Sequence, residues 1–210
     1  MDLSQLQAVL LDMDGTLVDS DAAVERSWRT WAAEYPVDPG RGPLIAHGLP
    51  ALANVRRLRP DLSEDAAATA ARYQLELEYV DVADITATPG ARELLGELDR
   101  LGLPWAVVTS ADIRLAQIRL AAARITPALL VTIDDVRHGK PDPEGYLLAA
   151  RKLGADPRRC LVVEDAEAGV AAGRAAGAVV AGLRGVDADI PVKDLHQLTA
   201  LMGQIENPSA

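Results

Sequence analysis

Near the beginning of the chain the sequence reads Ala8-Val9-Leu10-Leu11-Asp12-Met13-Asp14-Gly15. The four apolar residues are typical of a buried strand, and Gly15 predicts a turn soon after it. Asp12 and Asp14 therefore come where this strand ends. In an open parallel sheet, ligands bind beyond the carboxyl ends of the strands, so we expect a functional site at this point.

After residue 89 the sequence alternates between apolar strands and amphipathic helices. The predicted strands cover 105–109, 129–133, 161–163 and 179–183, and the predicted helices cover 91–101, 113–123, 143–153, 168–176 and 192–202. This alternation is typical of a parallel sheet with helices on both faces. We therefore expect an α/β fold with a Rossmann-like three-layer core.

The segment that follows the first strand has helical periodicity only. Val24, Trp28 and Trp31 repeat at the spacing of one helix face, and Gly and Pro between residues 36 and 50 predict loops. Because this segment interrupts the α/β pattern, we predict an inserted α-helical cap. The predicted domains are residues 1–18 plus 87–210 for the core and residues 19–86 for the cap.

Composition and charge exclude several classes of protein. The net charge is −10 at pH 7, and such a surface repels nucleic acid and anionic lipid, so neither is expected as a partner. No apolar run approaches the roughly 18 residues of a membrane span, and no signal peptide is evident. The single cysteine, Cys160, is typical of a reducing compartment. We expect a cytoplasmic protein, either a monomer or a weak homodimer.

The predicted strand ends carry residues that suit phosphate and metal chemistry. Besides Asp12 and Asp14 these are Thr109, Ser110, Lys140, Glu164 and Asp165. Clustered carboxylates disfavour one another's ionisation unless a cation lies among them, and Mg²⁺ prefers carboxylate oxygens, water and substrate phosphate. A lysine and a hydroxyl complement phosphate oxygens. A carboxylate that remains free can attack phosphorus and form an aspartyl-phosphate.

The same residues lie in four motifs that resemble those of the haloacid dehalogenase superfamily. The motifs are Asp12-Met13-Asp14-Gly15-Thr16-Leu17, Val107-Val108-Thr109-Ser110, Gly139-Lys140-Pro141-Asp142-Pro143 and Val162-Val163-Glu164-Asp165-Ala166-Glu167-Ala168-Gly169-Val170. They occur in the order of the family and span nearly the whole α/β unit. One departure is Leu11, where the family often has Phe, and it concerns packing.

The resemblance implies a role for each of these residues. Asp12 is the expected nucleophile and Asp14 the expected general acid and base. Thr109, Ser110 and Lys140 are expected to bind the phosphate. Mg²⁺ is the implied cofactor, and its implied ligands are Asp12, Asp14 through its backbone carbonyl, Asp165 and Glu164.

The cap contains one further candidate site. His47 and Gly48 belong to the stretch Ala46-His47-Gly48-Leu49-Pro50-Ala51, which resembles the cap loop of small sugar- and polyol-phosphate phosphatases. This resemblance implies that His47 and Gly48 contact the substrate. An isolated histidine is more often structural, so both readings of His47 stay open.

Residues that distinguish the reactions of the superfamily favour a phosphatase. Dehalogenases lack the second acid, which is present here as Asp14, and phosphonate-cleaving relatives need a cap lysine, whereas the first lysine here is Lys140. Hexose-phosphate mutases carry a cap histidine about where Val24 stands. We expect a Mg²⁺-dependent phosphomonoester hydrolase whose partner is a small phosphorylated sugar or polyol. A phosphoglycolate phosphatase, a mutase or phosphotransferase, and a non-catalytic binding protein remain alternatives.

Overall fold

A parallel sheet of six strands forms the centre of the molecule. The computed structural model describes residues 5–38, 40 and 45–204. The strands are β1 (Ala8–Leu11), β2 (Val18–Asp19), β3 (Thr86–Ala87), β4 (Trp105–Val108), β5 (Leu130–Val131), β6 (Cys160–Glu164), β7 (Val179–Gly182) and β8 (Ile190–Pro191). The sheet order is β5-β4-β1-β6-β7-β8, and all of its pairs are parallel.

Helices cover both faces of this sheet. They are α4 (Ala91–Leu101), α5 (Ile113–Ala123), α6 (Glu144–Leu153), α7 (Glu167–Ala175) and α8 (Leu195–Met202). Side chains of β1 alternate between the faces: Val9 and Leu11 pack with α4, α5 and α8, whereas Ala8 and Leu10 pack with α6 and α7. The predicted three-layer α/β core is therefore confirmed.

Three further helices follow β1 in the chain. They are α1 (Asp21–Glu34), α2 (Ala51–Leu58) and α3 (Glu64–Val80). They share a separate apolar cluster around Trp28 and Trp31, and the Trp31 indole donates to the Ala70 carbonyl over 2.9 Å. The antiparallel pair β2–β3 joins this helical segment, which we call the cap, to the rest of the chain. The domain limits at 18/19 and 86/87 stay a prediction, and residues 1–4, 39, 41–44 and 205–210 of those domains lie outside the described residues.

Several elements differ from the predictions. Helix α2, the β2–β3 pair and β8 were not predicted individually, and β5 is shorter than the predicted strand because residues 133–135 form a 3₁₀ turn. The last helix begins at Leu195 instead of residue 192, since the Asp194 side chain accepts a hydrogen bond from the Gln197 N–H and caps it there. Within the part of the chain that is described, no helix is both long and apolar enough to cross a membrane.

The sheet order places three strand ends side by side. Strand β1 lies between β4 and β6, so the residues after these strands meet at one edge. Asp12 follows β1, Thr109 follows β4, and Asp165 follows β6. This edge faces the cap, and a cavity lies between them.

Candidate active site

A buried lysine joins two carboxylates at the floor of the site. Lys140 Nζ donates to Asp12 Oδ1 over 2.5 Å, to Glu164 Oε1 over 2.6 Å and to the Val108 carbonyl over 3.0 Å. Burial alone would lower the pKa of Lys140, but Asp12 and Glu164 together raise it above its usual range. The lysine therefore carries its charge and fixes one oxygen of Asp12. Oδ2 of Asp12 accepts no hydrogen bond from the described residues.

The carboxylates at this edge exceed the nearby positive charge. Burial raises the pKa of Asp12 well above its ordinary value, Glu164 raises it further, and Lys140 offsets part of the shift. Burial, followed by repulsion from Glu164, raises the pKa of Asp165 to about 7, although Arg184 and Lys140 oppose the shift. An additional cation at this position would favour the ionised forms of both aspartates.

The geometry of this carboxylate cluster fits a metal ion. One oxygen each of Asp12, Glu164 and Asp165 lies within 4.8 Å of the others. Both oxygens of Glu164 are already occupied: Oε1 accepts from Lys140 and from the Tyr146 hydroxyl at 2.5 Å, and Oε2 accepts from the Asp165 N–H at 3.2 Å. Asp12 and Asp165 are therefore more open to a metal ion than Glu164, whose direct ligation stays a prediction.

Gly15 allows the first motif to approach this cluster closely. Its φ is +81°, a left-handed conformation, and a Cβ atom there would lie 2.0 Å from Asp165 Oδ2. Any side chain would collide with that carboxylate and strain the backbone. The glycine after Asp14 is thus required by the position of Asp165.

Asp14 is held by two donors beside the cavity. Ser20 Oγ donates to its Oδ1 over 2.7 Å, and Arg119 Nη1 donates to its Oδ2 over 2.8 Å. Arg119 Nη2 also donates to Glu78 Oε2 over 2.8 Å, so this arginine connects Asp14 with helix α3 of the cap. Ser20 and Arg119 together fix the position of both Asp14 oxygens at the edge of the cavity.

Two residues of the second motif differ in their hydrogen bonding. Thr109 is buried, and its Oγ1 accepts from the Ala111 N–H over 3.1 Å, which leaves the hydroxyl hydrogen free for a ligand. Ser110 Oγ instead donates to the Gly48 carbonyl over 2.8 Å. This bond joins the core to the cap loop, and the hydroxyl hydrogen of Ser110 cannot reach a phosphate while the bond is intact. A role of Ser110 in phosphate binding stays a prediction.

The predicted site residues fall into two groups around a cavity of about 90 Å³. The core residues Asp12, Asp14, Thr109 and Ser110 line it together with His47 and Gly48 of the cap. Lys140, Glu164 and Asp165 lie behind Asp12, outside this lining. The volume exceeds the roughly 15 Å³ that one water needs, so the cavity accommodates several atoms of a ligand.

Sequence reasoning missed Arg119, Glu78, Tyr146 and Arg184. Arg119 lies 105 positions from Asp14 and 41 from Glu78, and it is only 4% exposed. Nothing in helix α5 alone distinguishes it from the other arginines of the chain. A usable signal would be an arginine on the inward face of an otherwise apolar helix, since a buried charge needs charged partners.

Comparisons with protein families, single sequences and solved structures all match most of this chain to hydrolases. The sequence profile of the haloacid dehalogenase-like hydrolases matches residues 6–177. Hexitol phosphatase A from Escherichia coli is 40% identical over 199 residues, which cover 90% of this chain and 92% of that protein. The 2-deoxyglucose-6-phosphate phosphatase 1 of Saccharomyces cerevisiae is 32% identical in an alignment of 235 positions, which covers 95% of each chain. A crystal structure of a hydrolase from Pseudomonas syringae superimposes with a TM-score of 0.84 at 30% identity and covers 95% of this chain and 99% of that one.

Proposed function

The chain belongs to the haloacid dehalogenase-like hydrolases, and we propose that it hydrolyses small sugar or polyol phosphates through an aspartyl-phosphate intermediate. Two relatives whose alignments cover at least nine-tenths of the chain are a hexitol phosphatase and a 2-deoxyglucose-6-phosphate phosphatase. The observation that carries the mechanism is the buried pair of Asp12 and Lys140, in which Asp12 lines the cavity together with Asp14 and Lys140 supports it from behind.

In the first step Asp12 attacks phosphorus. A bond forms between its unoccupied Oδ2 and phosphorus, the bond from phosphorus to the ester oxygen breaks, and Asp14 gives its proton to the leaving oxygen. Lys140 keeps Asp12 oriented through Oδ1 and contributes positive charge next to the phosphoryl group. The free hydroxyl hydrogen of Thr109 is available to a phosphoryl oxygen.

In the second step Asp14 acts as the base. It takes a proton from a water molecule whose oxygen attacks phosphorus, and the bond between phosphorus and Asp12 breaks. The products are inorganic phosphate and the free carboxylate of Asp12. Ser20 and Arg119 orient Asp14 for this role through their hydrogen bonds to its two oxygens.

A metal ion is part of this proposal. Asp12 and Asp165 would hold Mg²⁺ together with the backbone carbonyl of Asp14, and Glu164 would orient Lys140 and support the cluster. When bound, the ion supplies positive charge to the phosphoryl oxygens and offsets the repulsion among the carboxylates. A cytoplasmic location and a monomeric or weakly dimeric state are further proposals, and the location rests on the single cysteine.

The alternative of a mutase is less well supported. Val24, which stands about where mutase relatives have a histidine, lines the cavity and cannot transfer a proton. Phosphorus NMR on a hexose 1-phosphate separates the two reactions, since a mutase yields a hexose 6-phosphate and a hydrolase yields inorganic phosphate.

A phosphate-release screen with and without Mg²⁺ tests the proposed function. The panel contains sugar, polyol, nucleotide and two- or three-carbon phosphates, with p-nitrophenyl phosphate as a substrate that needs no specific leaving-group contacts. We expect Mg²⁺-dependent release, highest for sugar or polyol esters. No release from any ester in the presence of Mg²⁺ would contradict the proposal.

A further inference from the structure

The wall of the cavity that faces Asp14 carries a buried polar cluster. Its members are Gln74 and Glu78 of helix α3 and Arg119 of helix α5, which are 0%, 8% and 4% exposed. All three line the cavity. Gln74 Nε2 donates to Glu78 Oε1 over 2.6 Å, and Arg119 links Glu78 to Asp14. Residues of the cap and of the core thus form one polar surface next to the carboxyl group of Asp14.

Part of this cluster lacks hydrogen-bond partners. Gln74 Oε1 and Arg119 Nε are buried, and neither has a partner among the described residues. A buried polar atom without a partner destabilises the structure, so a ligand that pairs with it gains affinity. Gln74 Oε1 can only accept a hydrogen bond and Arg119 Nε can only donate one. A single hydroxyl group can do both, so it can pair with either atom.

The charges of the cavity disfavour an anionic leaving group. The acidic residues that line it are Asp12, Asp14, Asp21 and Glu78, whereas the described basic ones are Arg119 and His47. Arg119 is already paired with two carboxylates, Asp14 and Glu78, each at 2.8 Å. A carboxylate or a second phosphate on the leaving group would find no unpaired guanidinium among the described residues that line the cavity and would approach Glu78 instead.

We infer that Gln74, Glu78 and Arg119 form a hydroxyl-binding site that selects neutral, polyhydroxylated leaving groups and rejects anionic ones. This inference rests on the proposed phosphatase activity and refines it. It attributes the preference for polyol phosphates over phosphorylated hydroxy acids, such as phosphoglycolate, to one ion-paired cluster. Gln74 and Glu78 of the cap thereby determine specificity without contacting the reacting atoms.

Two matched esters provide the first test. Glycerol 3-phosphate and 3-phosphoglycerate have the same carbon chain and differ in carrying a hydroxymethyl group or a carboxylate. Because the carboxylate would lie next to the like charge of Glu78, we expect kcat/KM for the glycerol ester to be higher by on the order of 100-fold. Equal kcat/KM values for the two esters would overturn the inference.

Two charge-neutralising variants on one helix provide the second test. Glu78→Gln removes a negative charge from the cavity and leaves Arg119 with one carboxylate partner. Glu76→Gln removes the same charge from an exposed residue of helix α3 that does not line the cavity. We expect the ratio of the two kcat/KM values to fall by about 10-fold or more in Glu78→Gln and to stay at the wild-type value in Glu76→Gln.

A third variant, Gln74→Met, controls for a purely structural effect of Glu78→Gln. Gln74→Met keeps the length of the side chain but removes the unpaired acceptor, so kcat/KM should fall more for glycerol 3-phosphate than for p-nitrophenyl phosphate. Equal losses on both esters, or the same change of ratio in Glu78→Gln and Glu76→Gln, would overturn the inference. If no ester is hydrolysed in the presence of Mg²⁺, the proposed function fails and the inference fails with it.

Discussion

The contact between Gly48 and Ala166 gives a quantitative test of how the cap loop docks on the core. Gly48 has φ +79°, and a Cβ atom at this position would lie 2.9 Å from the Cβ of Ala166. Its carbonyl accepts the hydrogen bond from Ser110. Replacement by alanine therefore disturbs the one described hydrogen bond between the second motif and the cap loop.

The expected loss can be estimated from these two features of Gly48→Ala. Left-handed backbone costs a residue with a Cβ about 1–2 kcal/mol, and compression against Ala166 adds about 1–3 kcal/mol. Because 1.4 kcal/mol corresponds to a factor of ten, the smallest sum of about 2 kcal/mol lowers the equilibrium constant for docking roughly 30-fold. We expect kcat/KM on a polyol phosphate to fall by up to that factor.

The assay compares kcat/KM and the melting temperature of Gly48→Ala, Ala166→Gly and the double variant. The double variant removes the collision and should recover the steric part of the loss. Gly102→Ala is the matched control, since Gly102 ends helix α4 with φ +65° and has no neighbouring atom within 4 Å of an added Cβ. It should lose stability but retain activity. Wild-type kcat/KM in Gly48→Ala, or no recovery in the double variant, would refute the docking argument.

Four other experiments test the proposed chemistry and the role of His47. Asp12→Asn should abolish turnover of sugar phosphates and of p-nitrophenyl phosphate while circular dichroism shows an intact fold; comparable activity in this variant would exclude Asp12 as nucleophile. EDTA should abolish activity and Mg²⁺ restore it. Because the pKa of Asp165 is raised to about 7, the carboxyl keeps its proton below that pH, and Mg²⁺ affinity by calorimetry should weaken from pH 8 to pH 6; an unchanged affinity would speak against this site. His47→Ala should lower kcat/KM for a sugar phosphate more than for p-nitrophenyl phosphate, whereas an equal loss with a lower melting temperature would identify His47 as structural.

The fold class could be predicted because its signals are local and repeated. Each apolar strand and each amphipathic helix of the core has the period of its own secondary structure, and helices α4 and α5 have the predicted bounds. Strands β2, β3 and β8 have two residues each, which is too short to show a period. Their pairing depends on the tertiary structure, so a single sequence does not reveal it.

The site could be predicted only where its residues lie in motifs. Asp12, Thr109 and Lys140 come directly after apolar strands or in short motifs, so the sheet topology brings them to one edge. Arg119 and Glu78 lie within helices, and they belong to the cavity because the cap folds over the core. No local pattern encodes that contact, and the proposed leaving-group specificity depends on it.

A pre-steady-state measurement on Asp14→Asn, with p-nitrophenyl phosphate in excess over the enzyme, tests whether the reaction passes through Asp12. The nitrophenolate departs without a proton, so the first step should proceed, whereas the second step lacks its base. We predict a burst of one nitrophenolate per enzyme molecule, followed by slow turnover, and mass spectrometry should find the phosphoryl group on Asp12. Steady release without a burst, and with no phosphorylated Asp12 in the quenched enzyme, would contradict the aspartyl-phosphate mechanism.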